Sequence, residues 1–173
     1  MQNYHYIFIG PQKSGKTSAL SCLSEISLSQ IQNMLSEHHA TSKLLTLPNM
    51  EQAVLRIEDS KNAYLYNYDH QVQIDQHLSV VGEEADGGVI FINHAHNDAL
   101  DQLEHYITLL SQQVENLVVA ITHVDLDSQQ LLKRYRNWLI MKKLNIPIFM
   151  IDARKKNDIE LLIEVLVARN DIH

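Results

Sequence analysis

The chain has 173 residues, of which 45% are hydrophobic, the length and apolar content of one domain with its own core. Its formal charge is -7, and an acidic chain without a basic stripe offers nucleic acid no surface to bind. One cysteine, Cys22, rules out an internal disulfide and suits a reducing, cytoplasmic setting.

Residues 4–9 are aromatic and β-branched and read as a buried strand. Directly after them comes Gly10-Pro11-Gln12-Lys13-Ser14-Gly15-Lys16-Thr17, which spells the phosphate-binding P-loop G-x-x-x-x-G-K-[ST] without a mismatch. Residues 17–28 then show helical apolar spacing through Leu20, Leu23 and Leu28. Strand, glycine loop and helix form a device in which loop amides and a helix N-terminus converge on anionic oxygens. The expected nucleotide site is Gly10, Gln12, Lys13, Ser14, Gly15, Lys16, Thr17 and Ser18. Lys16 is expected to reach the β- and γ-phosphates and the Thr17 hydroxyl to ligate Mg²⁺, so the ligand class is a nucleoside di- or triphosphate with Mg²⁺.

A strand is expected around residues 53–57, a turn at 59–62 and a second strand at 63–68, together an antiparallel hairpin. Gly87 and Gly88 introduce the continuous apolar run 89–92, the pattern of a strand buried on both faces. A helix follows over 98–114 with Leu100, Leu103, Ile107 and Leu110 on one stripe. Next come a buried strand at 117–121, a helix over 128–143 with Tyr135 and Trp138 as core residues, and a last strand at 147–151. A closing helix runs through Val167 with Asp158 as its N-cap, and the basic run Arg154-Lys155-Lys156 before it reads as a solvated turn. Repeated β-then-α units imply an α/β, mostly parallel sheet with helices on both faces and a ligand at the carboxyl ends of the strands. His94 and His96 lie near a strand end, but no third metal ligand accompanies them.

No segment has the apolar length to cross a bilayer, and the first strand begins so close to Met1 that no signal peptide is expected. Gln2 and the tail ending in His173 carry no lipidation motif. Membrane attachment, if any, would run through a partner.

The order of elements, the N-terminal P-loop and the early hairpin resemble the small Ras-like GTPases, with Arf-like and related bacterial small GTPases the nearest in pattern. This resemblance implies a P-loop NTPase fold with a six-stranded sheet, one strand of it antiparallel, a guanine nucleotide as ligand, and regulatory or effector proteins as partners. It also assigns further roles. The segment 117–126 is similar to the strand that leads into the guanine motif N-K-x-D-L. Asp125 matches the aspartate that accepts hydrogen bonds from the base, while Thr122 stands for the asparagine and His123 for the lysine. Asp125 as a mere cap of the next turn is the alternative. Asp152 and Ala153 resemble the third guanine segment, in which the alanine amide meets the base.

In the second switch, residues 65–74 align so that Asn67 takes the place of a metal-side aspartate, His70 of a glycine and Gln71 of the glutamine that orients the attacking water. A shifted alignment makes Asp69 the carboxylate. In the first switch Thr46 is the expected second hydroxyl ligand of Mg²⁺, with Thr41 as runner-up. Gln12 stands where Ras-like proteins carry glycine, a larger side chain expected to crowd the transferring phosphate, although Arf-like relatives accept a larger residue at that place. The implied function is a switch with slow intrinsic GTP hydrolysis. The competing reading is a pseudo-GTPase interaction module, to which the changes at Asn67, His70, Thr122 and His123 point. A kinase or adenine-nucleotide enzyme would need an arginine-bearing lid, and Arg56, Arg134, Arg136, Arg154 and Arg169 do not sit in one.

Overall fold

A computed structural model of the chain describes residues 2–23, 43–46, 50–58, 61–68, 74–124 and 128–172, with the backbone alone at 45, 46, 68, 74–76 and 128. Its elements in chain order are β1 (Gln2–Ile9), α1 (Lys16–Leu23), a 3₁₀ turn (Lys43–Thr46), β2 (Met50–Glu58), β3 (Lys61–Tyr68) and α2 (Ile74–Glu84). They continue with β4 (Gly87–Asn93), α3 (Ala99–Leu110), β5 (Leu117–Thr122), α4 (Ser128–Met141), β6 (Ile148–Met150) and α5 (Lys156–Asn170).

The strands form a six-stranded sheet in the order β2-β3-β1-β4-β5-β6. Every neighbouring pair is parallel except β2 with β3, the α/β architecture expected from the sequence. Strands β4 and β5 are buried at every residue, because helices cover both faces and an unbroken apolar run is the sequence that suits that position. Alternation then sorts the side chains. Tyr4, Tyr6, Phe8, Val89, Phe91, Val118 and Ala120 share one core with Leu20 and Leu23 of α1 and Ile159, Leu162 and Leu166 of α5. Ile7, Ile9, Ile90, Ile92, Val119 and Ile121 share the other with Val81 of α2, Leu103, Ile107 and Leu110 of α3, and Tyr135 and Trp138 of α4. The expected core role of Tyr135 and Trp138 is met.

Several local expectations need correction. Lys61 and Asn62 belong to β3 rather than to a turn, since the hairpin closes earlier. Helix α2 was not anticipated: it carries Gly82 and the β-branched pair Val80-Val81, which lower helix propensity, and tertiary burial of Val81 compensates. Helix α5 starts at Lys156 with Lys155 in the N-cap position and no side-chain cap. Asp158 therefore sits inside the first turn, where its carboxylate accepts the Asp152 backbone N–H at 2.8 Å. Of the basic run, Arg154 pairs with Asp152 and Lys156 opens the helix. Residues 24–28 of the expected first helix lie outside the described residues.

Asn116 fastens the start of β5 to the end of α5. It donates to Leu166 O at 2.8 Å and accepts from Arg169 Nε at 3.0 Å. Among the described residues no helix is long and apolar enough to cross a membrane.

Phe8 and Phe91 meet at 5.0 Å between ring centroids, in the layer that supports the loop after β1. Phe91→Ala is expected to lower the unfolding free energy by about 3–5 kcal/mol, measured by denaturant titration. Ile140→Ala, at a side chain 71% exposed, should stay within about 0.5 kcal/mol of the parent.

Candidate functional site

The carboxyl ends of β1, β4 and β5 converge on the loop that joins β1 to α1, the crevice where open α/β sheets bind ligands. The loop lies against the sheet end so closely that two positions require glycine. Gly10 has φ +148°, and a Cβ there would come within 2.2 Å of Phe91 O. Gly15 has φ +104°, and its Cβ would fall 2.9 Å from the Ala153 methyl. Lys13 adopts a left-handed φ of 60°, and its carbonyl accepts from Asn93 Nδ2 at 3.2 Å.

Lys16 is buried at 4% exposure. Its ammonium folds back over the loop, donating to Gly10 O at 2.9 Å and Pro11 O at 2.8 Å. The charge is thus held at the centre of the loop rather than at the tip of a mobile chain. A cavity of about 270 Å³ opens above it, lined by Lys13, Ser14, Gly15, Lys16, Thr17, Ser18 and His123. Gln12 and Ser18 have exposed side chains, and Gln12 is not among the residues lining that cavity.

On the β5 side, Thr122 is buried and its hydroxyl donates to Ser14 O at 2.8 Å. That hydroxyl has one proton, so the His123 Nδ1 found 2.9 Å from Thr122 Oγ1 acts as the donor of that pair. His123 itself takes a left-handed φ of 56° and faces solvent beside the cavity. On the β6 side, Ala153 is buried against Gly15. Next to it Arg154 grips Asp152 through Nε and Nη2, each at 2.8 Å. The Arg154 guanidinium and backbone N–H hold the Asp152 carboxyl well below the usual carboxylate range.

On the β3 side the arrangement is one that sequence reasoning missed. Thr17 Oγ1 donates to Glu51 Oε2 at 2.8 Å, and Asn67 Nδ2 reaches both Thr17 Oγ1, at 3.2 Å, and Glu51 Oε2, at 2.5 Å. Asn67 is fully buried, yet its Oδ1 has no hydrogen-bond donor among the described residues. An unsatisfied buried acceptor costs about 1–3 kcal/mol. The one sequence signal for Glu51 was the neutral residue at position 67, where the resemblance calls for a carboxylate.

Gly10, Lys13, Ser14, Gly15, Lys16, Thr17, Thr122, His123 and Ala153 come together around the loop. Thr41, Asp69, His70, Gln71 and Asp125 lie outside the described residues, as does the side chain of Thr46. His94 Nδ1 meets the Tyr135 hydroxyl at 3.0 Å, a packing role. Among the described residues no three His, Cys, Asp or Glu side chains gather as a metal cluster.

Among solved structures, 1083 chains match this one. One is a bacterial selenocysteine-specific elongation factor, EF-Sec, with a TM-score of 0.66 over 98% of this chain at 15% identity. The chain has a GTPase-like P-loop fold. It spans 29% of the length of that factor, and identity this low shows the fold alone. The likeness to EF-Sec does not by itself show the Ras-like or Arf-like branch. No protein-family model matches the sequence, and no curated protein does either.

Within this GTPase-like fold, Thr122 is the strut between β5 and the loop. Thr122→Val keeps the shape and removes the donor to Ser14 O. It is expected to cost about 1–3 kcal/mol in denaturant unfolding and to quicken amide hydrogen exchange at Ser14 and Gly15, with little change in α4.

Proposed function

We propose that the chain is a guanine-nucleotide-binding switch of the small Ras-like, Arf-like kind, a single G domain over residues 1–173 that acts in the cytoplasm and hydrolyses GTP slowly. The observation that carries this reading is the Lys16 ammonium fixed over a glycine loop at the N-terminus of α1, beneath a cavity of about 270 Å³. Loop amides and the helix dipole favour an anion there. Lys16 supplies a positive charge already in place before a phosphate arrives, so little ordering remains for binding to complete.

The residues near Thr17 fit a hard cation, because a hydroxyl and a carboxylate share one corner with the Asn67 amide, whose unpaired oxygen a half-turn about Cβ–Cγ would bring to them. Mg²⁺ takes few protein ligands and fills its shell with water and phosphate oxygens, which agrees with the sparse donor set. Thr17 would hold it, with Thr46 as the second hydroxyl. When bound, Mg²⁺ neutralises charge on the β- and γ-phosphate oxygens.

His123 stands beside the cavity to cover one face of the base, and Asp125 follows to accept from the N1 and N2 edge of guanine, which adenine lacks. The Asp152 carboxylate is engaged by Arg154, which leaves the buried Ala153 and its backbone as the nearer contact for the base. Gln71 is assigned the attacking water. Positioning alone gives slow turnover, and an activating partner that brings a positive charge would be needed for more. A partner of that kind, and effectors that read the loops around Thr46 and Gln71, belong to this proposal.

A second reading, a pseudo-GTPase interaction module with little or no turnover, is favoured by one observation. Asn67 is neutral and buried, and its N–H₂ is already engaged by Glu51 and Thr17.

Two variants test the proposal by equilibrium binding and single-turnover hydrolysis. Lys16→Ala should weaken GDP and GTP binding by at least about a hundredfold, the loss of a buried charge contact worth roughly 3 kcal/mol. Asp125→Asn should exchange GTP for xanthosine triphosphate as the preferred ligand. The parent should hydrolyse GTP at about 10⁻³ s⁻¹ or slower. Undiminished binding in Lys16→Ala, or sustained fast turnover by the protein alone, would contradict it.

A further inference from the structure

Glu51 and Asn67 are directly paired across β2 and β3, so their side chains leave the sheet on the same face, the one covered by α1. The register that brings them together depends on an irregularity: Glu58 pairs with Lys61, but Arg56 pairs with Asn62, a shift that carries through to Glu51 opposite Asn67. A one-residue slip would have sent Glu51 to the other face. Instead its Oε2 meets the hydroxyl of Thr17 and the amide of Asn67.

We propose that Glu51 supplies the carboxylate for a divalent cation at this site, in place of the carboxylate that Asn67 lacks, so that the negative charge has moved across one strand pair. The inference rests on the nucleotide reading above and goes beyond it, because it names the residue that makes binding depend on the metal. Three features carry it. First, the described hydrogen bonds to Glu51 Oε2 come from side chains, Thr17 and Asn67, rather than from backbone N–H groups of α1. A carboxylate that served only to cap the helix would take backbone donors.

Second, both of those partners are neutral, so the charge stands uncompensated by them beside an anion-binding loop. It would repel phosphate unless a cation came between them. Third, Asn67 is fully buried with an orphaned oxygen. An amide exchanges donor for acceptor by a half-turn about Cβ–Cγ, so the same residue serves Glu51 as a donor in one orientation and a cation as a ligand oxygen in the other. Hydroxyl, carboxylate and amide oxygen are the donors that Mg²⁺ and Mn²⁺ select.

The test is the affinity of a fluorescent GDP analogue, with Mg²⁺ and with EDTA, for four proteins: the parent, Glu51→Gln, Asn67→Asp, and the variant carrying both changes. Mn²⁺ binding to each GDP complex is followed by electron paramagnetic resonance. In the parent, Mg²⁺ should tighten binding by about a hundredfold, within the usual range of coupling between two ligands. Glu51→Gln should cut that gain to about tenfold or less and weaken the bound Mn²⁺ signal, while its affinity in EDTA equals or exceeds the parent's. The doubly changed protein, with its carboxylate back at position 67, should recover most of the gain and the Mn²⁺ signal.

An unaltered Mg²⁺ gain in Glu51→Gln, or a loss equally large in EDTA, would overturn the role of Glu51 and leave the nucleotide reading standing. A parent that binds the GDP analogue in neither buffer would overturn both.

Discussion

The close approach of the P-loop backbone to the carboxyl end of the sheet governs everything else at the site. Gly10 sits against the carbonyl of Phe91 and Gly15 against the methyl of Ala153, with no room for a side chain at either place. Only residues without a Cβ adopt those dihedrals cheaply, and only a sheet whose β1, β4 and β5 end at one level gives the loop three walls. The struts come from those walls: Asn93 holds the Lys13 carbonyl and Thr122 holds Ser14. Lys16 then closes the loop from inside through Gly10 and Pro11. A loop fixed in this way offers its amides to an anion without further ordering.

The charges around the loop follow from the same placement. Lys16 and the N-terminus of α1 are positive, Glu51 faces them from β2, and Asp152 is neutralised by Arg154 on the far side. A di- or triphosphate on the loop would bring more negative charge than one lysine offsets, the excess that the proposed cation beside Glu51 would balance. Asn67 joins the two strands of the hairpin to α1 through Thr17 and Glu51. Any ligand that displaces Thr17 Oγ1 from Glu51 would therefore act on β2 and β3 directly.

Much of this was legible in the sequence because the signals are local. The run 4–9, the P-loop and the apolar stretches at 89–92 and 117–121 each carry their own pattern or motif, and the unbroken apolar runs of β4 and β5 match burial on both faces. Helix α2 was not legible, since Gly82 and Val80-Val81 argue against a helix until burial of Val81 is known. Asp158 was misread as a cap because a carboxylate at a helix start serves equally well from inside the first turn, here bonding to Asp152 N. Glu51 was hidden for a different reason. Its partnership with Asn67 depends on hairpin register and on the irregularity between Arg56 and Glu58, and neither is written in the composition of the strands.

The proposed guanine nucleotide on this loop is what every other assignment at the site depends on. The direct measurement is a calorimetric titration of the nucleotide-free parent protein with GDP and, separately, with ADP, both in Mg²⁺. A single site that takes GDP at least about a hundredfold more tightly than ADP is the expected result, the discrimination that a carboxylate accepting from the N1 and N2 edge would supply. Equal affinities, or heat from ADP alone, would contradict it.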